Sequence, residues 1–405
     1  MLKGDIILKG DKSITHRVIM MSSIKKCFIK INNPSNCVDV YSTIKVLNQC
    51  GANIIYSSNS IINDRCINKS PKKVLYCGNS GTTARLLIGL LFGMKIAATI
   101  DGDSSLRRRP MDRVLKPLEK MNLRYKSNHY KLPIDILASE IDPVEFTMDI
   151  PSAQVKSAIL FACIGVKKKY SIVDNFNTRD HTERMIDYFS NKKLNNSKQS
   201  PFIYSVPGDI SNAAFLIAAA VCIKGSDLLI KNTLYNATRM GFIDTLIDMG
   251  ANIHISNIRD NHNEKICDIH VKYNATLKSV NIDKIRVVTM IDELPAYAVV
   301  ACFVSGISKI VNAEELRIKE SDRITEICTH LSMANVDIIE KKDGFVINSK
   351  NKLYNTINIK SKDHRIIMAL EVFNLIINGN CSNKFQDEIS ISFPDFYNCV
   401  QRLIK

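Results

Sequence analysis

Apolar residues along this chain follow two spacings, and each predicts a different element. Ile14, Val18 and Ile19 follow Ser13 at helical intervals, and Ile324, Ile327 and Leu331 follow Ser321 in the same way. A serine hydroxyl caps exposed helix amides well, so helices are expected to start at Ser13 and Ser321. Asp180 and Glu183 have the spacing of a capping box, and Asp209 precedes an apolar run ending at Ile223. The stretch DIHVKY, residues 268–273, instead alternates polar and apolar side chains and predicts a strand.

One pattern repeats. LNQCGANI at residues 47–54 recurs as LIDMGANI at residues 246–253, and looser copies place Leu118, Asn122 and Tyr125, then Leu331, Asn335 and Ile338, in the same frame. A leucine, then glycine or asparagine four residues on, then an apolar residue three further, describes a helix that stops on a left-handed residue and turns into a strand. The chain therefore predicts an α/β protein of two similar halves, each made of several helix-and-strand units.

Bulk composition narrows this picture. At 405 residues there is room for two or three domains, and 45% hydrophobic with 23% charged residues predicts a chain folded throughout. The longest apolar runs fall short of the roughly 20 residues that span a bilayer, which predicts core helices and no membrane partner. The start MLKGDIILKGDK is broken by Asp5 and lysines, without the apolar stretch of a secretory signal, so a cytoplasmic protein is expected. Twelve cysteines without a CxxC pair read as small core hydrophobes rather than metal ligands. The net charge of +15 is dispersed, densest at Arg107–Arg109 and Lys167–Lys169, and there is no tryptophan. That argues for solvated surface rather than a nucleic-acid partner.

The candidate chemistry gathers at helix starts. Lys12, Ser13 and Arg17 would place two cations at the mouth of a helix whose free amides favour anions. A small glycine-bearing loop around Gly81 leads into an apolar helix and lacks the ending of a nucleotide-binding Walker loop. Arg107, Arg108 and Arg109 precede a proline, and arginine forks match carboxylate or phosphate. Lys319, Glu320 and Arg323 crowd before another helix, a setting for a proton donor held among cations. Ser152, Ala153 and Gln154, then Asp292 with Glu293, then Asp363 with Arg365, stand before three more helices. Six such mouths imply a small, strongly anionic ligand.

In order, GDKSITHR (10–17), GNSGTTARLL (78–87), SSLRRRPMDRVLKPL (104–118), SAQVKSAI (152–159), TRDHTERM (178–185), PGDISNAAF (207–215), IDELPAYAV (291–299), ELRIKESDRI (315–324), DHRIIMAL (363–370) and SFPDF (392–396) stand along the chain. Together they resemble the 5-enolpyruvylshikimate-3-phosphate (EPSP) synthase family from about residue 4 to residue 397. The resemblance implies two domains of three βαβαββ units each, an inside-out α/β barrel fold, with the chain crossing twice. It puts 11–206 in one domain, and 1–10 with 207–405 in the other, around a shared cleft. It further implies transfer of the enolpyruvyl group of phosphoenolpyruvate to the 5-hydroxyl of shikimate 3-phosphate, with phosphate released, by a monomer that uses no cofactor and no metal.

Carried over motif by motif, the resemblance gives Lys12, Ser13, Arg17, Ser152, Ala153, Gln154, Arg179, Asp292 and Lys319 to shikimate 3-phosphate. Lys12, Gly81, Arg109, Gln154, Arg323 and Arg365 fall to phosphoenolpyruvate, and Lys12, Asp292 and Glu320 to catalysis. Some members carry a lysine where Ile391 stands, and a second serine at Ala153. Gly81 is kept where some glyphosate-resistant members are bulkier, which implies that glyphosate enters. The related transferase acting on UDP-N-acetylglucosamine carries a reactive loop cysteine, and none adjoins Arg109-Pro110 here.

Overall fold

Four helices end in the same way, and those ends organise the chain. In the computed structural model, which describes residues 1–142, 145–164, 170–192, 200–349 and 353–405, helices Val38–Gln49, Asp112–Glu119, Gly241–Asp248 and Arg323–Met333 each run into a residue of positive φ. These are Gly51 (109°), Asn122 (72°), Gly250 (90°) and Asn335 (65°), the positions that the sequence repeat singles out. The amide after each returns to the leucine carbonyl: Ala52 to Leu47 at 3.2 Å, Leu123 to Leu118 at 2.9 Å, Ala251 to Leu246 at 2.8 Å and Val336 to Leu331 at 3.1 Å. The left-handed residues themselves donate to Asn48, Glu119, Ile247 and Ser332, completing a Schellman closure each time. Two orphan carbonyls are satisfied, and the chain reverses at once into a strand.

Each reversal feeds a four-stranded sheet of constant topology. After the turn, Ile54–Ser57, Arg124–Asn128, Asn252–Asn261 and Asp337–Lys341 pair antiparallel with the next strand, and that strand pairs antiparallel with the one preceding the helix. A fourth strand lies parallel on the outer side. The parallel strand is local in two sheets, Leu75–Tyr76 and Asn281–Ile282, and remote in two, where Phe202–Ser205 joins Ile29–Asn32 and Lys3–Ile7 joins Asp227–Tyr235. The predicted strand DIHVKY lies inside Glu264–Lys272 except for Tyr273, which follows its end. The four copies of the repeat are thus one per sheet.

The chain divides into two compact units, Gly10–Val206 and Met1–Lys9 with Pro207–Lys405. Each contains two of the four-stranded sheets. The first adds a parallel pair, Glu145–Thr147 with Ser171–Val173, around helix Ala153–Ile164. In the second, helices His364–Asn378 and Phe396–Leu403 follow with no further strand among the described residues. Lys167–Lys169 lie outside the described residues.

Buried helices carry the site residues. Helix Gly81–Gly93 packs on Ala153–Ile164 so closely that a Cβ at Gly89 would lie 2.0 Å from the Ala158 carbonyl oxygen, so glycine is required for the approach. In the other unit Ile210–Cys222, Leu294–Cys302 and His364–Asn378 pack on one another, and every residue from 210 to 221 is buried. A helix apolar all round belongs in a core. Among the described residues no helix is long and apolar enough to cross a membrane.

Candidate functional site

In the unit Gly10–Val206, Arg17, Arg85 and Arg109 donate to hydroxyl, amide and backbone oxygens, while Lys12 meets a carboxylate. Helix Lys12–Ser22 is capped by Asp11, whose buried Oδ1 accepts from the Ile14 amide at 2.9 Å. The expected cap Ser13 is instead the second helical residue, because the carboxylate two residues earlier caps the helix through the Ile14 amide. Lys12 therefore opens the helix, with its Nζ 3.0 Å from Asp39 Oδ2. Arg17 is almost wholly buried: Nη1 donates to the Ser13 carbonyl at 2.9 Å, Nε to Thr182 Oγ1 at 2.7 Å and Nη2 to Ser157 Oγ at 2.7 Å. One guanidinium thus joins the starts of helices Lys12–Ser22, Ala153–Ile164 and His181–Ser190.

The glycine loop converges on the same place. Ser80 caps helix Gly81–Gly93, Arg85 Nη1 donates to Gln154 Oε1 at 2.6 Å, and Gln154 Nε2 donates to Thr82 Oγ1 at 3.0 Å. Arg109 Nη2 donates to Asn79 Oδ1 at 2.7 Å. A Cβ on Gly81 would stand 3.1 Å from Arg109 Nη1 and 3.4 Å from Arg85 Nη1, so any side chain there presses on two guanidinium tips. Of the arginine triplet, Arg107 pairs with Asp101, while Arg109 turns inward and is buried. Ser152 and Ala153 open the Gln154 helix, and Arg179 lies half-buried before His181–Ser190. Asp180 and Glu183 form no capping box: Asp180 pairs with Arg184 at 2.7 Å, and Glu183 with Lys156 at 2.6 Å.

Behind Lys12, fully buried His16 meets Thr43 Oγ1 through Nδ1 at 2.7 Å, and Thr43 in turn meets Thr83 at 2.7 Å. Burial, then the charges of Lys12 and Arg17, hold its pKa well below the usual histidine range. A neutral imidazole therefore fastens this helix.

In the other unit the cations are gripped by carboxylates. Helix Arg323–Met333 is capped by Asp322, not by the expected Ser321, whose hydroxyl instead donates to Asp363 Oδ2 at 3.3 Å. Arg323 is 1% exposed and donates to Asp363 from Nε at 2.8 Å and Nη2 at 3.2 Å, and to Glu320 Oε2 at 2.5 Å, with Nη1 3.6 Å from Asp292 Oδ1. Arg365 donates to the Asp292 carbonyl at 3.1 Å and stands 3.8 Å from its Oδ2. Burial raises the Asp363 pKa, but the adjoining guanidinium outweighs it and the group lies below the ordinary carboxylate value. Lys319 lies deep among its neighbours, and burial lowers its ammonium pKa despite the opposing pull of Asp292.

The structure thus brings Lys12, Ser13, Arg17, Gly81, Arg109, Ser152, Ala153 and Gln154 onto linked helix starts in one unit, and Asp292, Lys319, Glu320, Arg323 and Arg365 together in the other. Sequence reasoning missed Asp39, Arg85 and Asp363 as partners. Arg85 and Asp363 stood inside quoted motifs, whereas Asp39 carried no signal beyond an acid in a first helical turn. Ile391 lies half-buried in the turn before Phe393.

The family model described as EPSP synthase (3-phosphoshikimate 1-carboxyvinyltransferase) matches residues 1–400. The chain is 37% identical to the 3-phosphoshikimate 1-carboxyvinyltransferase of Persephonella marina, over all of this chain and 97% of that one. It is 38% identical to the Staphylococcus epidermidis protein of the same name, over 98% and 94% of the two. Among solved structures it is similar to EPSP synthase from Acinetobacter baumannii, with a TM-score of 0.84, 31% identity, and 99% and 96% of the two chains covered. The enolpyruvyl transferase NikO from Streptomyces tendae, at 12% identity and a TM-score of 0.74, shares the fold.

Proposed function

We propose an assignment of roles that proceeds from one fact: this chain belongs to the EPSP synthase family, the 3-phosphoshikimate 1-carboxyvinyltransferases. It is a transferase that moves the enolpyruvyl group of phosphoenolpyruvate to shikimate 3-phosphate in aromatic biosynthesis. In our reading Ser13, Arg17, Ser152, Ala153, Gln154, Arg179, Asp292 and Lys319 bind shikimate 3-phosphate. Lys12, Gly81, Arg109, Gln154, Arg323 and Arg365 bind phosphoenolpyruvate, and Lys12 also contacts shikimate 3-phosphate. Both sets act on one pair of substrates, in a cytoplasmic monomer.

The observation that carries this reading is the Asp292–Arg323–Glu320–Asp363 network. Transfer requires a proton on the enol carbon and attack by the 5-hydroxyl on the resulting cationic C2, with loss of the hydroxyl proton. Phosphate then leaves together with a proton of the new methyl group, which restores the carbon–carbon double bond. Glu320 is assigned as the acid. Arg323 also holds Asp363 through two donors, so the guanidinium stays paired while Glu320 exchanges its proton. Asp292 is assigned as the base toward the hydroxyl, its carboxylate facing Arg323, Arg365 and Lys319. Lys12 balances charge at both substrates, and the buried arginines offset the repulsion of two polyanions.

Release of inorganic phosphate, measured with each substrate alone and with both, tests this reading. Phosphate is expected only with both, and Glu320→Gln and Lys12→Met are expected to abolish most of it. Full activity in both variants overturns the assignment of roles. Release with UDP-N-acetylglucosamine in place of shikimate 3-phosphate overturns the substrate.

A further inference from the structure

The motifs SAQVKSAI and TRDHTERM contain a buried lysine and a turn that meet, and neither belongs to the substrate contacts assigned above. Lys156 lies on helix Ala153–Ile164 and is 4% exposed. Its ammonium has three acceptors: Asp174 Oδ2 at 2.8 Å, Glu183 Oε1 at 2.6 Å and the Thr178 carbonyl at 3.3 Å. Three donors on a tetrahedral nitrogen are thereby matched, as burial of a charge demands.

Asp174 then shapes the turn that follows it. Its Oδ1 accepts from the Phe176 amide at 2.9 Å, and its Oδ2 from the Thr178 amide at 3.0 Å and the Thr178 hydroxyl at 2.6 Å. Burial raises its pKa, but hydrogen bonds from Lys156 and Thr178 more than reverse this and keep it ionised. Thr178 is the residue before Arg179, so the turn that presents Arg179 is wound on one carboxylate. That carboxylate is pinned from outside the turn by Lys156. The same lysine reaches forward to Glu183, in the first turn of helix His181–Ser190. Its neighbour Ser157 accepts from Arg17 and meets Thr182 at 2.7 Å. Ala153 and Gln154, one turn earlier on the lysine's helix, are therefore locked in a fixed relation to Arg179.

We infer that Lys156 is a positioning residue for shikimate 3-phosphate: through Asp174 and Thr178 it sets the height and direction of Arg179 relative to Ala153 and Gln154. The inference rests on the assignment of Arg179 to that substrate. Lys156 touches neither substrate, so its loss weakens the binding that passes through Arg179 and leaves phosphoenolpyruvate recognition alone.

The test is a double-mutant cycle on the full chain, reading the Kd of shikimate 3-phosphate alone by calorimetry, the KM of phosphoenolpyruvate, and the melting temperature. Lys156→Met is expected to raise that Kd about tenfold or more, since a guanidinium displaced by an ångström loses its fork geometry. The phosphoenolpyruvate KM should move by less than a factor of about two, and Lys156→Met added to Arg179→Ala should cost no more than Arg179→Ala alone. Asp174→Asn, which keeps shape while weakening the pin, supplies the same cycle if Lys156→Met does not fold. If Arg179→Ala weakens binding while the Lys156 and Asp174 variants do not, or if their effects add in full, the positioning role is overturned and the substrate assignment stands. If Arg179→Ala leaves binding unchanged, the assignment falls and the positioning role with it.

Discussion

The candidate-site arginines of the two units are held differently. In Gly10–Val206, Arg17, Arg85 and Arg109 donate to hydroxyl, amide and backbone oxygens, which fix the plane of each guanidinium. In the other unit Arg323 is gripped by Asp363 and Glu320, with Asp292 beside it. Hydroxyl and amide partners suit a receptor for anions, because they orient a guanidinium without adding negative charge of their own. Carboxylate partners suit proton transfer, because an acid and a base are then held at fixed points on a common cation. Under the proposed roles the acid and the base both lie on the carboxylate side of this contrast, and each variant below breaks one side of it.

The largest effect is expected from the carboxylates. Asp292→Asn and Glu320→Gln keep size and hydrogen bonding but remove proton transfer, so kcat should fall by about 10²–10⁴ with modest changes in KM. A rise in KM with kcat intact would show that these groups bind rather than react.

Next comes stability. Arg323→Gln leaves Asp363, which is 0% exposed, without its principal countercharge, and breaking a buried pair from one side costs about 3–5 kcal/mol. Urea unfolding measures this. Asp363→Asn paired with Arg323→Gln should recover part of the loss, because the stranded charge is gone.

A smaller effect is expected at Gly81. Its Cβ position is 3.1 Å from Arg109 Nη1, so Gly81→Ala displaces one guanidinium tip and should raise the phosphoenolpyruvate KM by about tenfold, with shikimate 3-phosphate affinity little changed. Equal weakening of both substrates would mean that the loop serves the helix packing rather than one ligand.

How much of this was legible in the sequence depends on the range of the interaction. The stops at Gly51, Asn122, Gly250 and Asn335 were readable because a Schellman closure lies within six residues and demands a left-handed conformer. The same closure after helix Gly81–Gly93 was not, because Lys95 takes the positive φ there and carries no mark of it. The caps were misplaced by two residues at Asp11 for Ser13 and by one at Asp322 for Ser321, since nearby Asp and Ser side chains compete to cap the same helix start. Partners distant in sequence left no trace at all. Asp39 lies 27 residues from Lys12, Asp363 lies 40 from Arg323, and Thr182 lies 165 from Arg17. Those distances are set by packing, which no local pattern encodes.

The finest distinction between the units is their response to acid. His16 has its folded pKa held well below the ordinary 6.5 by burial, then by Lys12 and Arg17. Below pH 6.5 the unfolded chain takes up a proton that the folded chain refuses, so stability falls as pH drops, by at most about 1.4 kcal/mol per pH unit from this one group. Asp363 is depressed below 3.8, so its contribution is fully present above that value and is lost only as pH falls beneath it. His16→Gln should therefore flatten the stability profile between pH 6.5 and about 5, and Asp363→Asn should leave that interval unchanged while flattening the profile below pH 3.8. Urea titrations of both variants across the two intervals check this. If the two variants flattened the same interval, the neutral imidazole behind Lys12 would be excluded as the source of the earlier loss.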